Sequence, residues 1–153
     1  MKGSVLVTGA TGKQGGAVAR VLLSNGHRVR AMVRNVNSPP ARELEHRGAE
    51  PFAADLDDVG SLERAAAGMD AVFAMSTPAS GVEAETRQGI AIVNAAQAAG
   101  ATHIVYSSVA GADQKTGIPH FESKFKVEQH LRTRGVRFTI IGPVYFMENL
   151  IAP

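Results

Sequence analysis

The sequence predicts an α/β protein built on one doubly wound parallel sheet, and three observations point there. Short β-rich runs alternate with helical stretches from one end to the other. The connections between those runs are long enough to carry a helix each, as crossovers between parallel strands require. A glycine-rich loop lies directly between the first strand and the first helix. The 153 residues suit a single domain, and 44% apolar with 20% charged residues is ordinary for a chain that buries a core.

The elements follow in order. Ser4 to Thr8 reads as the first strand, and a helix from about Gln14 to Ser24 carries Ala17, Val18, Val21 and Leu22 at helical spacing before Asn25-Gly26 stops it. Arg28 to Arg34 is the second strand, with Val29, Ala31 and Val33 alternating as near a sheet margin. Ser38-Pro39-Pro40 caps a short helix to about Arg47. Glu50 to Ala54 is the third strand, Ser61 caps an alanine-rich helix ending at Gly68, and Ala71 to Met75 is the fourth strand. Val82 to Ala99 is the longest helix, with Ile90, Val93 and Ala96 inward. His103 to Ser107, Phe121 to Thr133 and Phe138 to Ile141 complete the pattern as strand, helix and strand. Right-handed crossovers then give the strand order 3-2-1-4-5-6. The tail after Pro143 has no element left to pack with.

Composition excludes several functions. Sixteen Lys and Arg against fourteen Asp and Glu leave a charge of +2, too little to make a phosphate-binding face by itself. With no cysteine there is no disulfide, thiolate metal site or cysteine nucleophile. His27, His46, His103 and His130 are scattered without metal-ligand spacing, so no metal site is expected. Arg28, Arg30 and Arg34 lack an accompanying nucleic-acid motif and read as solvated charges where nucleic acid is concerned. The longest uncharged run, Gln88 to His103, is too short for a span of roughly 20 residues. The start has too short an apolar stretch for a signal peptide, so no membrane association and a cytoplasmic location are expected.

Gly9-Ala10-Thr11-Gly12-Lys13-Gln14-Gly15 carries the chemistry. At the end of a first strand, Gly9 allows a tight turn, Gly12 lets backbone approach a pyrophosphate, and Gly15 lets the helix lie close on the strand. The helix's amide-bearing positive end then faces the diphosphate. This is the fingerprint of a Rossmann-type dinucleotide site. Sites for NAD place a carboxylate about 20 residues past the glycines. Arg34 stands there instead, followed by Asn35, and its fork suits a 2′-phosphate. NADP(H) is therefore expected over NAD(H), with Lys13 a second nearby cation. Asp55-Leu56 ends the third strand on the same rim, beside the adenine. Ser76-Thr77-Pro78 ends the fourth strand, where the ligand crosses the sheet.

Ser107-Ser108 after the fifth strand, with Lys124 on the next helix, resembles the short-chain dehydrogenase/reductase superfamily. The tyrosine of that group, one helical turn before the lysine, is replaced here by His120. That replacement, the Gly-Ala-Thr-Gly-Lys-Gln-Gly loop, Arg34 and the closing Tyr-Phe-Met-Glu-Asn-Leu resemble the NmrA-like branch. The branch contains redox-sensing regulators and NADPH-dependent quinone reductases. The resemblance implies that Gly9 through Gln14 hold the pyrophosphate, Arg34 the 2′-phosphate, and Asp55 and Leu56 the adenine. It sets Ser76, Thr77, Pro78 and Lys124 at the nicotinamide side, with Tyr145, Phe146 and Asn149 closing over the ring. It also implies that residues 1–153 are the cofactor-binding, N-terminal part of a longer protein, with the substrate lobe absent or truncated.

Two functions are expected from these residues. The first is a redox sensor that binds NADP(H) and signals to a regulatory protein partner. The second is an NADPH-dependent oxidoreductase reducing quinones or related carbonyls, with His120, Lys124, Ser107 and Ser108 as the catalytic candidates. The missing tyrosine favours the sensor, while Lys124 with Ser107 and Ser108 leaves room for the reductase; His120 shows no orienting partner in the sequence, which speaks against its being catalytic. A third possibility is a truncated cofactor domain without activity of its own.

Overall fold

The computed structural model describes residues 2–151. Its strands are β1 (Ser4–Val7), β2 (Arg28–Val33), β3 (Glu50–Ala53), β4 (Ala71–Ala74), β5 (His103–Ser107) and β6 (Arg137–Ile141). They form one sheet in the order β3-β2-β1-β4-β5-β6, parallel at every pairing. The helices are α1 (Lys13–Ser24), α2 (Pro39–His46), α3 (Val59–Ala66), α4 (Val82–Ala98) and α5 (Pro119–Arg132). The predicted class, order and element sequence all hold, with boundaries moving by one to three residues.

Side chains alternate across a strand, so neighbouring residues of β1 and β4 feed opposite cores. Leu6 and Val72 join Ile92, Val93, Ile104, Val127 and Leu131 in the larger core, under α3, α4 and α5. Val7 and Phe73 join Ala19, Val29, Ala31 and Leu44 in the smaller one, under α1 and α2. In β2 the alternation is overlaid, because Met32 is buried as well as Val29, Ala31 and Val33. A strand with helices on both faces has no solvent side to mark. No helix among the described residues is long and apolar enough to cross a membrane.

Two local readings are corrected. On α1 the buried positions are Gly15, Gly16 and Ala19, with Val18, Leu22 and Leu23 partly buried against the smaller core. Ala17 and Val21 face water, Val21 at 59% exposure. The close approach of two glycines to the strand rotates the helix so that its smallest residues face inward. On α3 the capping residue is Asp58, whose Oδ1 accepts from the Ser61 amide at 3.1 Å. Ser61 lies inside the first turn instead. Its Oγ accepts from the Asp55 amide at 3.0 Å and bonds the Asp58 carbonyl at 2.8 Å, tying the helix to the end of β3.

The tightest helix contact is between α4 and α5. A Cβ added to Gly89 would lie 2.6 Å from Val127 Cγ2 and 3.2 Å from Ser76 Oγ. Glycine costs roughly 1 kcal/mol in a helix interior relative to alanine, and close packing offsets it. Gly89→Val should lower stability by about 1–3 kcal/mol through overpacking, read as a reduced urea midpoint at unchanged slope.

Candidate functional site

The site forms where the chain leaves β1 toward one face of the sheet and β4 toward the other, the crevice in which such sheets bind ligands. Thr8 fixes the two strand ends together. Its Oγ1 donates to the Met75 carbonyl at 3.1 Å and accepts from the Met75 amide at 2.8 Å. Nothing in the sequence marked Thr8 beyond its place at a strand end.

The glycine loop turns where it was expected to turn. Gly9 has φ +61°, and the Gly12 amide closes onto the Gly9 carbonyl at 2.9 Å. A side chain at Gly15 would overlap the Gly9 carbonyl, so helix and strand touch there. At Gly12 an added Cβ would meet only the Gly9 oxygen, at 3.2 Å, leaving its outer side open. Gly12 caps α1 without any side-chain acceptor, and the first helical bond runs from the Gly16 amide to the Gly12 carbonyl. The amides of Lys13, Gln14 and Gly15 therefore have no partner within the helix. An open cradle of amides at a helix start suits an anion. Ala10 is buried beneath the loop, while Thr11 and Lys13 are exposed on it.

Around the rim, Arg34 follows β2 and is exposed, with no hydrogen-bond partner for its guanidinium among the described residues. Asp55 Oδ1 accepts from the Asp57 amide at 2.9 Å, which makes Asp55 a turn-forming residue on the same rim. Leu56 packs partly buried against the larger core. Asp57 is the aspartate that reaches across: its carboxylate accepts from Arg87 at 2.8 Å and from Gln88 at 2.9 Å, both on α4. The hydrogen bond from Arg87, then that from Gln88, holds the Asp57 carboxyl below its ordinary range.

A cavity of about 210 Å³ opens beside the loop. It gathers Gln14, Ser76, Thr77, Pro78, Ser107, Ser108, His120 and Lys124, with Tyr145, Phe146 and Asn149 from the tail. As expected, no described element covers most apolar side chains of the tail: Val144, Tyr145, Met147, Leu150 and Ile151 are exposed, and polar contacts attach it. The Ala110 amide donates to the Pro143 carbonyl at 3.1 Å, and Lys13 Nζ donates to Asn149 Oδ1 at 3.0 Å. The tail thereby folds back across the mouth of the glycine loop.

Lys124 is buried. Its ammonium donates to the Ser76 carbonyl at 2.6 Å and the Ser107 carbonyl at 3.3 Å, and pairs with Glu85 Oε1 at 3.1 Å. Burial lowers its pKa, while the Glu85 charge opposes that fall. The Tyr106 ring centre lies 5.4 Å from the ammonium. Tyr106 is itself enclosed in the core, and burial raises its phenol far above the ordinary range.

Glu85 is the residue that sequence reasoning missed. It is fully buried on α4, and its Oε2 accepts from His120 Nδ1 at 3.0 Å and from Ser123 Oγ at 2.5 Å. His120 thus has the orienting partner that was not visible in the sequence, from a residue 35 positions earlier. Only the acidic Glu85 on an inward-facing helical stripe could have signalled it. The serines are similarly engaged. Ser107 Oγ donates to Gln14 Oε1 at 2.8 Å, and Ser108 Oγ donates to the buried Glu128 Oε1 at 2.5 Å. Lys124→Met would leave the Glu85 carboxylate buried without its cation. It should cost about 3–5 kcal/mol in denaturant unfolding, and adding Glu85→Gln should recover much of that loss.

Comparison with known proteins agrees with this geometry. The NmrA-like family model matches residues 1–153. An NmrA-like family domain-containing oxidoreductase, hkm9, of Aspergillus hancockii is 36% identical over 96% of this chain and 48% of its own. The Citrobacter sp. triphenylmethane reductase complexed with NADP(H) superposes with a TM-score of 0.86 at 29% identity, over 97% of this chain and 52% of that one. NmrA, a negative transcriptional regulator solved in complex with NADP, superposes with a TM-score of 0.80 at 29% identity, over 91% and 44%. The chain spans about half the length of these relatives. With the whole chain matched and the fold shared, this protein belongs to the NmrA-like family.

Proposed function

We propose that the chain binds NADP(H) across the carboxyl ends of its strands and serves an NADPH-dependent reductase acting on quinones or related carbonyl acceptors. The observation that carries this reading is the buried Lys124–Glu85 pair, with the half-buried His120 on the same carboxylate, at the edge of the cavity beside the glycine loop. A charged cluster kept from water is costly to fold, and such clusters concentrate where chemistry is done. It weighs against the sensor as first choice, since an oriented His120 stands where the missing tyrosine had favoured the sensor.

The residues fit a dinucleotide. The open side of Gly12 and the unpaired amides of Lys13, Gln14 and Gly15 would take the diphosphate. Arg34, exposed and unengaged among the described residues, would take a 2′-phosphate. Asp55 and Leu56 would flank the adenine. Ser76, Thr77 and Pro78 would line the nicotinamide-side ribose above the Lys124 charge, under Tyr145, Phe146 and Asn149. When bound there, a reduced nicotinamide supplies an electron pair with its hydrogen to an acceptor in the cavity. The protein's own part is to hold the acceptor flat, exclude water and fix nearby charge.

The sensor remains the second reading, on a separate observation. Val144, Tyr145, Met147, Leu150 and Ile151 of the tail are 62–86% exposed beside the site, a surface through which nucleotide binding could reach a protein partner. Turnover separates the two. Mixed with NADPH and a panel of quinones, the protein should show acceptor-dependent loss of reduced-nicotinamide absorbance; NADPH binding without turnover would instead establish the sensor. Arg34→Ala should weaken NADPH by about 1.5–3 kcal/mol in calorimetry and leave NADH nearly unchanged. Equal losses would remove Arg34 from the phosphate.

A further inference from the structure

The hydrogens of the four catalytic candidates can be followed one by one. An ammonium has three: Lys124 gives hydrogen bonds to the Ser76 and Ser107 carbonyls, and its charge pairs with Glu85 Oε1 at 3.1 Å. A serine hydroxyl has one. That of Ser107 goes to Gln14 Oε1, and that of Ser108 goes to Glu128 Oε1. Both serines therefore have no hydrogen left for a bound acceptor, and the Lys124 ammonium is held by two carbonyls and its buried counter-charge. In short-chain dehydrogenases the serine and tyrosine hydroxyls would be looked to for this purpose; here the serines are turned away and the tyrosine is absent.

His120 is different. A buried carboxylate paired with an ammonium only accepts, so Nδ1, 3.0 Å from Glu85 Oε2, carries a hydrogen. Glu85 thereby sets the tautomer and leaves Nε2 as the imidazole's working atom. Ser123 Oγ, on the same carboxylate oxygen, completes the anchor. The imidazole keeps 36% of its side-chain surface exposed and lines the cavity, so it can reach both an acceptor and water.

From this accounting we infer that His120, as its imidazolium, is the proton donor to the reduced acceptor, and that Glu85 is the positioning residue that makes it one. The inference rests on the reductase reading above. In the step, the acceptor carbonyl takes an electron pair and hydrogen at carbon from the dihydronicotinamide, which is oxidised. The imidazolium Nε2–H bond breaks as an O–H bond forms on the acceptor oxygen. The neutral imidazole, still bonded to Glu85 through Nδ1, recovers a proton from water.

Two measurements test this. In protein labelled with ¹⁵N-histidine, the neutral His120 ring should show the Nδ1–H tautomer; an Nε2–H ring would overturn the role given to Glu85. In steady-state turnover with a carbonyl acceptor, His120→Gln should lower kcat by about 10²-fold, in line with a lost general acid, while KM for NADPH stays within about twofold. Glu85→Gln, nearly isosteric, should also lower kcat at unchanged KM for NADPH. His46→Gln, at an exposed histidine of α2 outside the cavity, should leave kcat unchanged. Wild-type-like turnover in His120→Gln, or an equal loss in His46→Gln, would overturn the assignment and leave the reductase reading standing. No turnover in the wild-type protein would overturn that reading and the proton-donor role together, with the tautomer still reporting whether the Glu85 anchor holds.

Discussion

A carboxylate with no surface in water is tolerated only where its charge is matched. Glu85 has its charge matched by the Lys124 ammonium 3.1 Å from Oε1, and Oε2 accepts from Ser123 and His120, while Oε1 itself makes no hydrogen bond. The arrangement of the cavity depends on it. Without the carboxylate, desolvation would disfavour the Lys124 charge unopposed. Without the ammonium, Glu85 would face His120 and the core as an uncompensated anion. Each group is a condition for the other, and both lie between α4 and α5, where Gly89 lets the helices come close.

Much of the fold was legible because it rests on local rules. Strand and helix runs of different period, and glycines at a strand end, specify a doubly wound sheet before any contact is known. The glycine loop was legible for the same reason: Gly9 and Gly15 do locally what their positions imply. The misreadings were local competitions. Asp58 took the cap that Ser61 was expected to supply because Ser61 bonds the backbone around Asp55 and Asp58. α1 turned its glycines inward, where the apolar spacing pointed to Ala17 and Val21.

The site was legible in part. The candidates from the fourth and fifth strands, α5 and the tail come together around one cavity, because they all sit at the carboxyl edge of one sheet. Their hydrogen-bond partners were not legible. Glu85, Glu128 and Gln14 lie 38, 20 and 93 residues from the serines they engage, distances over which a sequence pattern carries no pairing information. Thr8 and Asp57 belong to the same class, since each bonds a partner far away in the sequence.

The shared seam of α4 and α5 carries a consequence for how such a protein can vary. His120 and Lys124 ride on one helix and their common anion on the other, so the spacing of two rods calibrates the charges in the cavity. Bulk introduced anywhere along that seam, even well away from the ligand crevice, acts as a wedge that detunes the imidazole before any lining residue is altered. Variation that preserves the Lys124–Glu85–His120 arrangement is thus confined to the outer flanks of the two helices, and Gly89 becomes one of its conditions.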